Sequence, residues 1–202
     1  MPGADFFARL GLFVRPNFLD AETCARLRDA ATEARKVPGT VGNEDAVYEV
    51  DVRTRRTDIA DVSDETIELV SGPLDALTPE IERHYSVEAE GRQRLQFLVY
   101  KEGDFFAAHT DRTESGKGAK FSKRRLVSVL IFLNDEAEEP SPLTYGGGTL
   151  TFYGLLGGEK GEKVGLPVVG QEGLLVAFRS NITHAVTPVT HGERFTVVTW
   201  LF

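Results

Sequence analysis

Residues 94–111, "RLQFLVYKEGDFFAAHTD", hold two short apolar runs parted by a Lys-Glu-Gly-Asp cluster. Runs of this length, rich in aromatic and β-branched residues and bounded by turn formers, predict strands. The pattern then repeats to the C-terminus through "RLVSVLIFLN", "GTLTFYG", "KVGLPVV", "GLLVAF", "HAVTPV" and "RFTVVTWLF". Eight short strands in a row, with no helical pattern between them, predict a β-sandwich or barrel rather than βαβ units.

Upstream of residue 93 the periodicity is different. "LFVRPNFL" at 12–19 reads as a short strand, and Asp20 is placed to cap a helix running to about residue 36, with Cys24, Leu27, Ala31 and Ala34 on one stripe. A second helical stripe runs through Ile67, Val70, Leu74, Leu77 and Ile81, and Pro73 inside it predicts a break or restart there. Both stripes need a sheet to cover. The fold class expected is therefore mainly β with flanking helices, α+β: one domain over 1–202, with helical support mainly in 1–92 and the β-core mainly in 93–202.

Composition fits one core and narrows the partners. The chain has 202 residues, 41% of them hydrophobic, and its 31 acidic against 23 basic residues give a formal charge of −8. That balance argues against nucleic acid and anionic membranes, leaving a peptide or small molecule as the expected partner. A single cysteine, Cys24, allows no internal disulfide and no thiolate cluster, so a reducing, cytoplasmic compartment is expected. The N-terminus lacks a basic run before an apolar stretch, and no window approaches the roughly 18 apolar residues of a membrane helix.

His109 and Asp111 close the opening stretch. On a strand they project to one face, about 7 Å apart along the chain. Alone, the motif is more often a solvent-facing pair at a strand end. A facial iron(II) site needs two imidazoles and one carboxylate, so a second histidine must come from elsewhere. His84 ends a helical pattern and His191 sits in the turn "THGER", which leaves His184, at the start of a strand. Ten residues on, period-2 alternation puts Arg194, Thr196, Val198 and Trp200 on one face and Phe195, Val197, Thr199 and Leu201 on the other. An arginine sharing a face with Val198 and Trp200 either points inward and requires an anion, or follows a hairpin as an ordinary surface residue.

The blocks "YKEGDFFAAHTD", "RLVSVLIFLND", "YGGGTLTFYG", "GLLVAFRSNITHAVTPV" and "GERFTVVTWLF", in this order, resemble the iron(II)- and 2-oxoglutarate-dependent dioxygenases, in particular their prolyl 4-hydroxylase-like branch. "LFVRPNFLDAETCARL" is similar to that branch's entry into its first helix. The resemblance implies a double-stranded β-helix, or jelly roll, with N-terminal supporting helices. It implies Fe(II) held by His109, Asp111 and His184, with the distal carboxylate of 2-oxoglutarate on Arg194. Tyr100 matches a tyrosine that lines the co-substrate or substrate pocket in relatives; a half-buried strand tyrosine is the alternative. Thr196 and Trp200 either line the same pocket or are ordinary barrel residues. Phe132 departs from the pattern, because some relatives carry a tyrosine there whose hydroxyl reaches the co-substrate. The intact carboxylate at Asp111 favours hydroxylation over halogenation.

The activity so implied is hydroxylation of an unactivated C–H bond, with O2 consumed, succinate and CO2 released, and ascorbate as an accessory reductant. A peptidyl residue such as proline is the first expected substrate; a free amino acid or small metabolite is the second, and a non-catalytic jelly-roll binding module is the remaining alternative. Arg53 and Arg55, two apart in "DVRTRRTD", form a candidate substrate clamp or a solvated strand edge. "RTESGKGAKFSKRR", after Asp111, has the composition of a lid. Gly146, Gly147 and Gly148 read as a turn into a strand rather than a phosphate cradle, since no helical pattern follows.

Overall fold

The computed structural model describes residues 3–42, 48–113, 122–161 and 163–202. Along the chain these form α1 (Ala4–Arg9), β1 (Phe13–Arg15), α2 (Ala21–Glu33), β2 (Arg35–Pro38), β3 (Val41–Gly42), β4 (Tyr48–Glu49), β5 (Arg55–Arg56), β6 (Asp58–Asp61) and α3 (Asp64–Tyr85). The β-rich half follows as β7 (Gln96–Tyr100), β8 (Phe105–His109), β9 (Val127–Phe132), β10 (Asp135–Glu136), β11 (Thr144–Gly147), β12 (Leu150–Phe152), a short α4 (Gly158–Gly161), β13 (Leu166–Val168), β14 (Leu175–Arg179), β15 (His184–Val186), β16 (Val189–His191) and β17 (Arg194–Leu201).

Two sheets carry the architecture. The larger has the order β1-β14-β9-β17-β7-β6-β2 and the smaller β13-β12-β15-β8-β5, both antiparallel throughout. Non-sequential neighbours such as β14, β9 and β17 show the chain crossing between the sheets, as in a jelly roll. All eight strands expected from residue 94 onward are present.

The alternation of side chains decides what each face meets. On the larger sheet Phe97, Val99, Val127, Val129, Ile131, Phe195, Val197 and Leu201 face outward and pack with Leu27 and Ala31 of α2 and Val70, Leu74, Leu77 and Ile81 of α3. Leu98, Tyr100, Leu130, Phe132, Val198 and Trp200 face inward and join Leu150, Phe152 and Val186 from the smaller sheet in a second core. Strand β9 is buried at every position because both of its faces are covered, which is why "VSVLIF" reads as a nearly unbroken apolar run.

The helices differ from expectation in two places. Asp20 does cap α2, accepting from the Thr23 amide at 2.7 Å, but the helix stops at Glu33 rather than near 36. Residues 35–38 leave it to pair with β6 as an edge strand. Nor does Pro73 break the second helix: α3 runs unbroken from Asp64 to Tyr85 with Pro73 and Pro79 both inside. Its inward stripe, ending on the buried Ile81 and Tyr85, offsets the roughly 3 kcal/mol of an interior proline. Strands β2, β5 and β6 also belong to the two sheets, so the first ninety residues supply sheet as well as helical support. The segment "NDEAEEPSPLTYGGG" reads as loop from its acidic, proline and glycine content, yet it contains β10 and β11, which pair in parallel, and β11 pairs with β16 through a bulge at Gly146/Gly147.

Candidate metal centre

His109 ends β8 and His184 begins β15, and the two are directly opposed across the antiparallel pair. Their rings stand 4.2 Å apart between centroids. Asp111 lies two residues past His109 and turns its carboxylate between them: His109 Nε2 is 3.7 Å from Oδ1, and His184 Nε2 is 3.6 Å from Oδ2. The ligand atoms of all three residues fall within 4.8 Å of one another. Among the described residues no other group of histidine, cysteine or carboxylate side chains converges in this way.

The tautomers follow from the backbone. His109 Nδ1 donates to the Ala107 carbonyl at 2.8 Å and His184 Nδ1 to the Ile182 carbonyl at 3.0 Å. A carbonyl can only accept, so Nδ1 carries a proton on each ring, and Nε2 is the nitrogen each ring turns toward Asp111. Burial, joined by the charge of His109 and opposed by Asp111, pushes His184 down to about 4, so it is neutral and ligand-competent near pH 7. Burial alone would raise Asp111; His184, His109 and the Ser128 hydroxyl outweigh it and hold the carboxyl well below the usual range. Ser128 Oγ donates to Asp111 Oδ2 at 2.7 Å, and Arg125 Nη1 to the Asp111 carbonyl at 3.3 Å. Phe106 stacks on His109 with ring centroids 3.6 Å apart, covering that imidazole's face.

Arg194 confirms the inward reading of β17. It has no exposed surface, its Nη1 donates to Thr196 Oγ1 at 3.3 Å, and its Nε and Nη2 have no partner among the described residues. Tyr100 and Phe132 each place a ring 5.1 Å from its guanidinium carbon, and Tyr145 one at 6.0 Å. No described residue forms an ion pair with it. A guanidinium buried in this state carries a desolvation cost that a bound anion would offset. Thr196 and Trp200 are buried on the same face, Trp200 beneath the Arg125 guanidinium at 3.6 Å.

The expected Arg53 and Arg55 pair is corrected. Arg53 lies in a turn before β5, with its side chain 90% exposed and paired to Asp51, while Arg55 is buried over Phe106 and donates to the Thr40 carbonyl. The two differ in exposure and in partners, so the structure does not bring them together as a pair. The lid expected over 112–125 falls largely on residues 114–121, which lie outside the described residues. Cys24 is core, and burial pushes its thiol up to about 12, which makes it inert.

Sequence reasoning missed Ser128, Phe106 and Tyr145. Ser128 carried a signal, being the one polar residue in the inward register of "VSVLIF". Tyr145 carried none, because it sits in a segment that reads as loop.

A jelly roll that opposes two imidazoles across one sheet, sets a carboxylate between them and buries an unpaired guanidinium deeper in the barrel defines a protein equipped for a facial divalent metal and an anionic co-ligand. Residues 95–202 match the 2OG-Fe(II) oxygenase superfamily, and the chain belongs to that family. It is 34% identical over 154 residues to a PKHD-type hydroxylase of Hyphomonas neptunium, covering 74% of this chain and 61% of that protein. It is 33% identical over 106 residues to a PKHD-type hydroxylase of Rhizorhabdus wittichii, covering 52% and 41%. The chain thus spans about three fifths or less of the length of these relatives. In structure it is similar to a Pseudomonas putida prolyl-4-hydroxylase, with a TM-score of 0.70, 24% identity and coverage of 98% and 95%. It is also similar to a Trichoplax adhaerens prolyl hydroxylase solved with a hypoxia-inducible-factor peptide fragment, with a TM-score of 0.73, 20% identity and coverage of 98% and 86%. Among the described residues no helix is long and apolar enough to cross a membrane.

Proposed function

We propose that this chain is an iron(II)- and 2-oxoglutarate-dependent hydroxylase, with His109, Asp111 and His184 as metal ligands and Arg194 as the anchor for the distal carboxylate of the co-substrate. The observation that carries the reading is the guanidinium of Arg194, buried without a counter-ion in the same barrel as the three-residue cluster. A binding module without a metal has no use for both features together.

The residues present fit the groups the family implies. Two neutral imidazoles and one carboxylate leave open positions on one side of a six-coordinate ion, enough for a bidentate oxo acid and O2. Bound there, iron(II), 2-oxoglutarate and O2 would supply the oxidant for a C–H bond, with succinate and CO2 as by-products and ascorbate as an accessory reductant. The protein's own part is positional. The Ala107 and Ile182 carbonyls set the imidazole tautomers, Ser128 orients the carboxylate, Phe106 shields His109, and Arg194 with Thr196 fixes the far end of the oxo acid. Tyr100 lines that end.

For the substrate, a peptidyl residue such as proline is favoured by the likeness to prolyl hydroxylases in structure and to PKHD-type hydroxylases in sequence. The setting proposed is the cytoplasm. Anaerobic addition of iron(II) and 2-oxoglutarate to the metal-free protein should raise the weak visible charge-transfer band of the chelate, and His184→Ala should abolish it. A folded wild-type protein with no band would leave a binding module as the better account. Succinate release driven by proline peptides, against release driven by free amino acids, then separates the two substrate classes.

A further inference from the structure

Arg194 is not alone in lacking a partner. Tyr145, on β11 in the small three-stranded sheet, has no exposed surface, and among the described residues its hydroxyl finds no acceptor. A buried phenol is normally satisfied, so an orphaned hydroxyl calls for a reason. Its ring stands beside the guanidinium: at Gly148, whose φ is +58°, a Cβ would come within 2.9 Å of Arg194 Cδ and 3.3 Å of Tyr145 Cε2. Only a glycine lets the chain pass both side chains there. The hydroxyl itself lies over Gly170, where a Cβ would meet it at 2.0 Å and the Phe132 ring edge at 2.8 Å.

The nearby carboxylate does not explain this hydroxyl. Glu136 accepts from Thr149 Oγ1 and from the Gly170 amide, and no bond from the Tyr145 hydroxyl reaches it. Of the other two aromatics beside the guanidinium, Phe132 has no hydroxyl to offer, and the hydroxyl of Tyr100 is not among the buried groups left without a partner. Three donors without an acceptor among the described residues, Arg194 Nε, Arg194 Nη2 and Tyr145 Oη–H, are thus clustered in one buried region. A carboxylate has two oxygens and accepts from several donors at once.

We propose that Tyr145 is a co-substrate-binding residue, its hydroxyl donating to the distal carboxylate of 2-oxoglutarate beside Arg194. The assignment rests on the reading of this pocket as the 2-oxoglutarate site. Burial pushes the Tyr145 phenol up, against the pull of Arg194, so it remains a protonated donor throughout the working range of pH. Tyr145 also reaches the pocket from a different sheet than Arg194, so the far end of the co-substrate would be held from two sides.

The test is calorimetric binding to the manganese(II)-loaded protein, with no turnover involved. Two oxo acids are compared: 2-oxoglutarate, and 2-oxobutyrate, which keeps the chelating head and lacks the distal carboxylate. Tyr145→Phe should weaken 2-oxoglutarate by roughly 10-fold or more, the range of a hydrogen bond to a charged group, and leave 2-oxobutyrate unchanged. Gly170→Ala keeps the phenol but displaces its hydroxyl, and should show the same selective loss. If Tyr145→Phe binds 2-oxoglutarate as wild type does, or loses both ligands equally, the tyrosine assignment is overturned while the pocket assignment stands. If wild-type protein binds neither oxo acid, the proposed function fails, and this inference with it.

Discussion

Ser128 Oγ donates to Asp111 Oδ2 at 2.7 Å, a bond that reaches from the larger sheet to the carboxylate end of the metal cluster on the smaller one. Ser180 Oγ lies 2.9 Å from the same hydroxyl and completes the chain. The geometry of the His109, Asp111 and His184 cluster therefore depends on both sheets, although the two histidines come from one.

Ser128→Ala should weaken metal binding about 10-fold, the lower end of what outer-shell partners of a metal ligand contribute. Manganese(II) titration of the wild type and the variant reads this directly. An unchanged affinity would mean that the two histidines alone hold Asp111 in place.

Arg194→Met separates a ligand-binding arginine from a structural one. An arginine that supports the fold destabilises the protein when removed. An unpaired buried charge does the opposite, and its replacement by an apolar side chain of similar length should stabilise the metal-free protein by on the order of 1 kcal/mol. Thermal melts should show a higher Tm for the variant alone, together with loss of the further rise that 2-oxoglutarate gives the metal-loaded wild type.

How much of this is legible in sequence depends on whether the signal is local. Alternation along β17 is enough to put Arg194, Thr196 and Trp200 on one face, and that face is the one buried in the barrel. His109, Asp111 and His184 stand out because strands present side chains with a fixed period and because few histidines compete. Pairing across sheets has no local signature. Arg35–Pro38 reads as the end of a helix because only its distant partner, Asp58–Asp61, makes it a strand. Pro73 reads as a helix breaker because the burial that overrides it is tertiary. Tyr145 lies in an acidic, proline-containing segment whose β-pairing with Asp135–Glu136 is too short to leave a pattern.

Acid should destabilise the metal-free protein in a defined window. His184 is held down to about 4 in the folded state, against an ordinary value near 6.5. As pH falls from about 6.5 toward 4, the unfolded chain takes up a proton that the folded one refuses, so stability present above 6.5 is lost on the way down. The full loss is on the order of 3 kcal/mol for a shift of this size. Urea melts at pH 7 and at pH 4.5 should show it for wild type, and the difference should shrink in His184→Ala, where the titrating imidazole is gone.

Tyr85 offers the converse of Ser128, a residue whose removal should touch stability and leave the metal centre alone. Its hydroxyl accepts from the Phe13 amide at 2.9 Å and donates to the Ala177 carbonyl at 2.6 Å, which ties the end of α3 to β1 and β14 on the outer side of the larger sheet. Arg179 donates to the Tyr85 carbonyl and adds to the same junction. Tyr85→Phe keeps the ring but strands a buried amide and a buried carbonyl, which costs about 1–3 kcal/mol. In a domain of this size that lowers Tm by roughly 2–4 °C for each kcal/mol. Because the junction lies across the sheet from the barrel interior, manganese(II) affinity should match wild type. A variant that lost metal binding in step with stability would show that the outer and inner cores act as one unit, and that the helices do more than cover the sheet.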